Sequence, residues 1–171
     1  MNTAKVFKMG DPLLLQRAEE INEYNDSKLE NIVELMLNTM TEKTGVGIAA
    51  PQIGISKRII IFGFETNDRY PNEKSVPLTV LINPVMKVLD ETEEDGWEGC
   101  LSVPGLRGLV SRYIKIEYSG YSFTEKKEIT REAEGFHARV VQHEIDHLDG
   151  ILYPRRIKDL TMFGYEDSLV F

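Results

Sequence analysis

Residues 142–148 read Gln-His-Glu-Ile-Asp-His-Leu, and no other stretch constrains the fold as much. His143 and His147 are four apart, so on a helix their rings leave one face a turn apart. That arrangement suits a divalent ion, because two imidazole nitrogens must converge on it at about 2.0–2.1 Å. Glu144 stands where the general base stands in the H-E-x-x-H pattern of metal hydrolases. The flanks agree on a helix. Phe136, Val140, Val141, Ile145 and Leu148 recur at helical spacing after Gly135, and Gly150 is a natural terminator. Two ligands are too few for a catalytic site, which usually takes three from the protein. The rest of the chain must fold so that a third ligand meets this helix.

Most of what precedes it reads as strand. Asp11-Pro12 predicts a first helix, with Asp11 as N-cap and Pro12 at its first position. Ser27-Lys28-Leu29-Glu30 reads as a capping box. It opens a stronger helix in which Leu29, Ile32, Val33, Met36, Leu37 and Met40 form a core-facing stripe that stops near Gly45. The small, glycine-rich residues 45–52 predict an extended or looping segment, and the β-branched run 58–64 a strand. Residues 65–76 read as an exposed loop. A strand over 79–84 is expected to resume through 85–89, with Pro84 marking an edge, bulge or break. An acidic turn over 90–96 follows. Further strands are expected at 110–118, turning at Ser119-Gly120, and at 127–133. Joined by turns too short for helical crossovers, these elements predict an α+β fold: antiparallel-rich sheets packed around the H-E-x-x-H helix.

Composition narrows the class. A chain of 171 residues is most simply one domain, here a single catalytic domain over 1–171. A net charge of −8 argues against nucleic acid as a stable partner, since phosphate binding needs clustered Lys and Arg. The longest apolar runs, such as 58–62, fall far short of the ~20 residues that span a bilayer. The N-terminus lacks the apolar core of a signal peptide. One cysteine cannot form an intrachain disulfide, which fits a reducing cytoplasm. The expected location is cytoplasmic, away from membranes.

That cysteine, Cys100, is the best third ligand available, because thiolate suits zinc and other first-row divalent ions. The competing reading is a buried, inert small hydrophobe. The histidine pair alone does not bring Cys100 close. His137 is a weaker candidate, since six residues before His143 it points about 120° away on an ideal helix. A structural four-ligand zinc site would need one more ligand, and no second cysteine offers it.

Three separated stretches resemble, in order, the three signature motifs of the peptide deformylase family. They are Gly45-Val46-Gly47-Ile48-Ala49-Ala50-Pro51-Gln52, Glu98-Gly99-Cys100-Leu101-Ser102 and Gln142-His143-Glu144-Ile145-Asp146-His147. Met9-Gly10-Asp11-Pro12-Leu13 resembles the start of such chains. The resemblance covers roughly residues 5–158.

It implies a metal-dependent hydrolase that removes the N-formyl group from newly made polypeptides as formate. It assigns Cys100, His143 and His147 as ligands of one divalent metal, Fe²⁺ natively, with Zn²⁺, Ni²⁺ or Co²⁺ able to substitute. A metal lowers the pKa of water from about 15.7 towards 7, and Glu144 would carry the proton to the departing amine. The Leu101 N–H and the Gln52 side chain are the implied donors to the formyl oxygen. Gly47 would let the substrate backbone come close. Val46, Phe136 and Val140 are candidates for the methionine slot, though each is also what a core would contain. Glu98 and Arg107 frame or brace the site, Arg139 is placed at the rim, and Asp146 reads as structural. The implied partners are N-formylmethionyl peptides on nascent chains, with transient ribosome association. Two other readings compete: a general metallopeptidase, whose usual third ligand is His or Glu, and a degenerate relative that binds without turnover.

Overall fold

The structure is a computed structural model that describes residues 2–169; Met1, Val170 and Phe171 lie outside the described residues. The described strands form one antiparallel sheet. β1 (Gly47–Ala49), β2 (Ile59–Phe64), β3 (Val76–Cys100), β4 (Val103–Ser122) and β5 (Lys127–Glu134) lie side by side in chain order. A short C-terminal strand, β6 (Phe163–Tyr165), pairs with the start of β4. Two α-helices, α1 (Ser27–Glu42) and α2 (Gly135–Leu148), complete the α+β fold expected from the sequence.

β2 explains how the layers meet. Its run is apolar throughout because both faces are covered. Ile60 and Phe62 pack with Leu81, Ile116 and Tyr118 against Ala138, Val141, Ile145 and Leu148 of α2. Ile59 and Ile61 face the other way, joining Val80 and Ile82 against Leu29, Val33, Met36 and Met40 of α1. A third cluster, containing Leu14, Val103, Val110, Leu152 and Tyr153, closes around Cys100. The H-E-x-x-H helix is thus held by apolar contacts along its length.

Several boundaries differ from the sequence reading. The segment after Asp11 is a single 3-10 turn, Pro12–Leu15, although Asp11 does cap it by accepting from the Leu13 N–H at 3.0 Å. α1 is capped one residue earlier than the capping box suggests: Asp26 Oδ1 accepts from the Lys28 N–H at 2.9 Å. The acidic residues 90–96 are not a turn but the far half of β3. Glu93, Glu94 and Asp95 pair there with Tyr113, Arg112 and Ser111. A long partner strand supplies the ladder that weak local propensity would not. Pro84 does mark an irregularity, since the β3–β4 register shifts between Ile82 and Val85. Ser119-Gly120 lies inside β4, where Gly120 pairs with Ile129. A Cβ on Gly120 would meet the Ile82 carbonyl at 2.7 Å, so this glycine serves close backbone approach, and the turn comes later, after Ser122.

Candidate metal centre

α2 and the end of β3 build the site. The helix places His143 and His147 a turn apart, with ring centroids 5.1 Å from each other. β3 ends at Cys100, which pairs with Val103 across the tight turn leading into β4. One donor atom from each of Cys100, His143 and His147 lies within 4.8 Å of the other two. Cys100 Sγ stands 3.3 Å from His147 Nε2. His137 is elsewhere: its ring lies against Phe62 and Tyr118.

The neighbours orient these groups. Glu98 Oε2 lies 2.8 Å from His143 Nδ1, which leaves Nε2 to face the cluster. Glu98 is itself held by both arms of the Arg112 guanidinium, at 2.9 and 3.0 Å, and by Arg139 Nη1 at 3.0 Å. Burial works against a charged Glu98, but the Arg112 and His143 contacts outweigh it and hold its carboxyl well below the usual range. Burial likewise opposes a charged His143, yet the hydrogen bonds and negative charge of Cys100 and Glu98 prevail and raise it. His147 is pushed the other way, by burial and then by the charge of His143. Asp146 ties the same network to the next turn by accepting from Arg112 and Arg156. Arg139 lines the chamber, and its guanidinium also donates to the carbonyls of Val110 and Glu94, bracing β3 and β4.

Gln52 enters from a 3-10 turn, Ala50–Ile53, that follows β1. Its Oε1 accepts from the Ala49 N–H at 2.8 Å, which fixes the amide so that Nε2 lies 3.4 Å from Cys100 Sγ. Glu144 is buried against β1. A Cβ on Gly47 would stand 2.3 Å from Glu144 Oε1, so only glycine leaves room for this carboxylate. Burial raises the Glu144 pKa to about 7. Glu144 Oε2 and His147 Nδ1 are the two buried side-chain polar atoms without a hydrogen-bond partner among the described residues. Buried polar atoms are rarely left so. A ligand in the chamber would complete Glu144 Oε2, whereas His147 Nδ1 lies on the side of the ring away from the Nε2 that faces Cys100.

The chamber in front of these groups is narrow, about 40 Å³. Val46, Gly47, Gln52, Leu101, Phe136 and Val140 all line it, together with Cys100, His143 and Glu144. The sequence reading missed part of the wall. Arg69 and Tyr70, from the segment read as an exposed loop, also line the chamber. The Tyr70 ring is 4.7 Å from Phe136, and the Arg107 guanidinium lies 5.2 Å from the Tyr70 ring centroid. An aromatic among loop residues was the one signal available.

The sequence matches the family model described as Polypeptide deformylase over residues 3–162. The chain belongs to the polypeptide deformylase family. As a deformylase it is a hydrolase that removes the N-formyl group from nascent chains, and the family is metal-dependent. It is 58% identical to "Peptide deformylase 1" of Bordetella pertussis over 96% of this chain and 93% of the relative. It is 53% identical to "Peptide deformylase 2" of Ralstonia nicotianae over 96% and 92%. Among solved structures, a class I type b peptide deformylase from Acinetobacter baumannii bound to Met-Ala-Ser matches with TM-score 0.86 and 39% identity, covering 91% of this deformylase and 98% of that chain. The peptide deformylase of Thermotoga maritima matches with TM-score 0.79 and 34% identity over 93% and 100%. Among the described residues, no helix is long and apolar enough to cross a membrane.

Proposed function

We propose that Cys100, His143 and His147 hold one divalent metal and that Glu144 is the proton carrier of deformylation, in a single catalytic domain working in the cytoplasm. The observation that carries this is the convergence of the three donor atoms within 4.8 Å beside a buried Glu144 oxygen left without a partner. The donor set suits the ion: one sulfur and two imidazole nitrogens match the ligand types of catalytic first-row sites. Bound there, a divalent ion supplies Lewis acidity and lowers the pKa of water from about 15.7 towards 7.

The chain's own residues do the rest. Glu144, poised near neutrality by burial, takes a proton from the water that attacks the formyl carbon. It returns that proton to the amine nitrogen as the carbon–nitrogen bond breaks and formate leaves. A carboxyl whose pKa sits near the working pH can both accept and donate. The Gln52 amide and the Leu101 N–H steady the formyl oxygen as charge builds on it; loss of one such donor typically costs about 10²–10³ in rate. Val46, Gly47, Phe136 and Val140 receive the methionine residue, and the narrow chamber favours formyl over larger acyl groups. Nascent chains reach the site through transient contact with the ribosome.

Formate release from a formyl-Met peptide tests the assignment. Glu144→Ala should lower the rate by about 10²–10⁴ while metal content stays near one ion per chain. Near-full activity in the variant would sink the role given to Glu144. Fe²⁺ is the proposed native ion, with Zn²⁺, Ni²⁺ or Co²⁺ able to replace it. Enzyme purified without oxygen should contain iron by elemental analysis and lose activity in air, because ferrous iron and the thiolate are both oxidisable. Stable activity of an iron-loaded sample in air would count against iron.

A further inference from the structure

The narrow chamber opens into a groove of about 620 Å³, and the two share Thr44, Arg69, Cys100 and Leu101 in their walls. A substrate whose first residue fills the chamber is covalently bound to send its next residues along this groove. The groove is basic on an acidic molecule. Lys5, Lys8, Lys43 and Arg69 line it, with Glu166 as its one acid, although the chain carries a net charge of −8. Glu166 is already engaged, since its Oε1 accepts from Arg107 Nε at 2.7 Å. Lys43 meets Glu42 at 2.8 Å, but both side chains are 47% exposed, so water and salt weaken that pair. Among the described residues no ion pair is found for Lys5, Lys8 or Arg69, and the Lys5 ammonium lies 5.7 Å from the Phe7 ring centroid. Arg69 is nevertheless held in place. Its N–H donates to Asn67 Oδ1 at 2.9 Å, and Asn67 Nδ2 donates to the Thr44 carbonyl at 3.1 Å. This sets the Arg69 guanidinium over Gly99, 2.8 Å from where a Cβ would stand.

We propose that this groove selects by charge for the polypeptide downstream of formylmethionine, favouring acidic over basic residues at the positions after methionine, with Lys5, Lys8, Lys43 and Arg69 as the specificity-determining residues. The inference rests on the deformylase reading of the neighbouring chamber. An RNA backbone would meet the same charges. The continuity of the groove with the chamber through Cys100 and Leu101 favours the peptide, which must pass there.

The test uses three amidated peptides: formyl-Met-Ala-Asp-Asp, formyl-Met-Ala-Ala-Ala and formyl-Met-Ala-Lys-Lys. The ratio of kcat/KM between acidic and basic peptides should be roughly threefold to tenfold at low ionic strength. It should fall towards one by about 0.5 M salt, where the screening length is only a few ångströms. In the triple variant Lys5→Gln, Lys8→Gln, Lys43→Gln the ratio should also fall towards one. Because both peptides are measured on one preparation, any loss of folded enzyme cancels. A wild-type ratio at or below one, or a ratio indifferent to the substitutions, overturns the inference while turnover of the alanine peptide keeps the deformylase reading intact. No formate from any of the three peptides overturns both. Inhibition of alanine-peptide turnover by a short RNA, together with a ratio near one, assigns the groove to nucleic acid and overturns the peptide reading.

Discussion

Gly47 decides where Glu144 can be. A methyl group there would stand 2.3 Å from Glu144 Oε1 and 2.7 Å from its Cδ, so the carboxylate must swing away from β1. Gly47→Ala should therefore lower kcat on a formyl-Met peptide by about 10²-fold, the usual penalty for displacing a catalytic group by an ångström. Metal content should be unchanged, since the atoms nearest the added methyl all belong to Glu144 and none to Cys100, His143 or His147. Formate kinetics with metal analysis checks both, and wild-type kcat in the variant would separate Gly47 from the placement of Glu144. The residues that converge on the site were largely legible one by one, because histidines four apart on a helix and a lone cysteine carry their chemistry in their type. What sequence could not give was why Gly47 must be glycine. The family motif offered close approach of substrate; the structure adds a carboxylate lying against its Cα. Nor did Arg112 attract notice in the sequence, since one arginine in a β-strand looks like any other until Glu98 and Asp146 are found around it.

At the level of elements, strong periodicity was readable and termini were not. α2 begins at Gly135 and ends at Leu148 as its pattern predicts. The last turn closes as a Schellman motif, with Gly150 at φ 72° and the Ile151 N–H on the Asp146 carbonyl at 2.9 Å. α1 closes by the same pair of bonds, Thr44 N–H to Thr41 and Gly45 N–H to Met40, but with Thr44 at φ 52° in the left-handed position. The glycine that sequence reading took as the stop is thus one residue further on. The other end of α1 gives a direct comparison. Asp26 accepts the hydrogen bond that a cap should accept, whereas Ser27 is already the first helical residue. Asp26→Ala should cost about 1 kcal/mol, a fall in Tm of about 2–4 °C for a chain of this size. Ser27→Ala should change little. Thermal unfolding of the two variants checks the assignment, and the reverse ranking would restore the capping box. The acidic stretch 90–96 misled for a different reason. Propensity is local, while that half of β3 exists because residues 111–115 of β4 lie beside it.

For the whole molecule, acid resistance reveals how its charges are buried. His137 sits on α2, away from the metal cluster, with Nε2 at 3.4 Å from the Tyr118 hydroxyl and its ring against Phe62. Burial, and next the positive charge of Arg131, push its pKa below the ordinary value. The unfolded chain therefore takes up a proton near pH 6.5 that the folded chain still refuses. The stability that comes from keeping His137 neutral is complete above about pH 6.5 and is lost as pH falls below it. Glu98 acts later. Its carboxyl is held low in the fold, so its contribution is complete above the ordinary carboxylate range and fails only as pH drops through and below that range. The interval from about pH 6.5 to 5.5 thus separates His137 from Glu98, while Glu144, raised to about 7, also changes its charge there. Glu144, and His143 and His147 in the unfolded chain, take up protons near there too, but all three remain in a variant changed only at residue 137. The urea midpoint of the wild type, measured with metal in excess, should decline between pH 7 and 5.5, and that of His137→Gln should decline less steeply. Parallel profiles for the two proteins would mean that His137 is not held neutral by the fold.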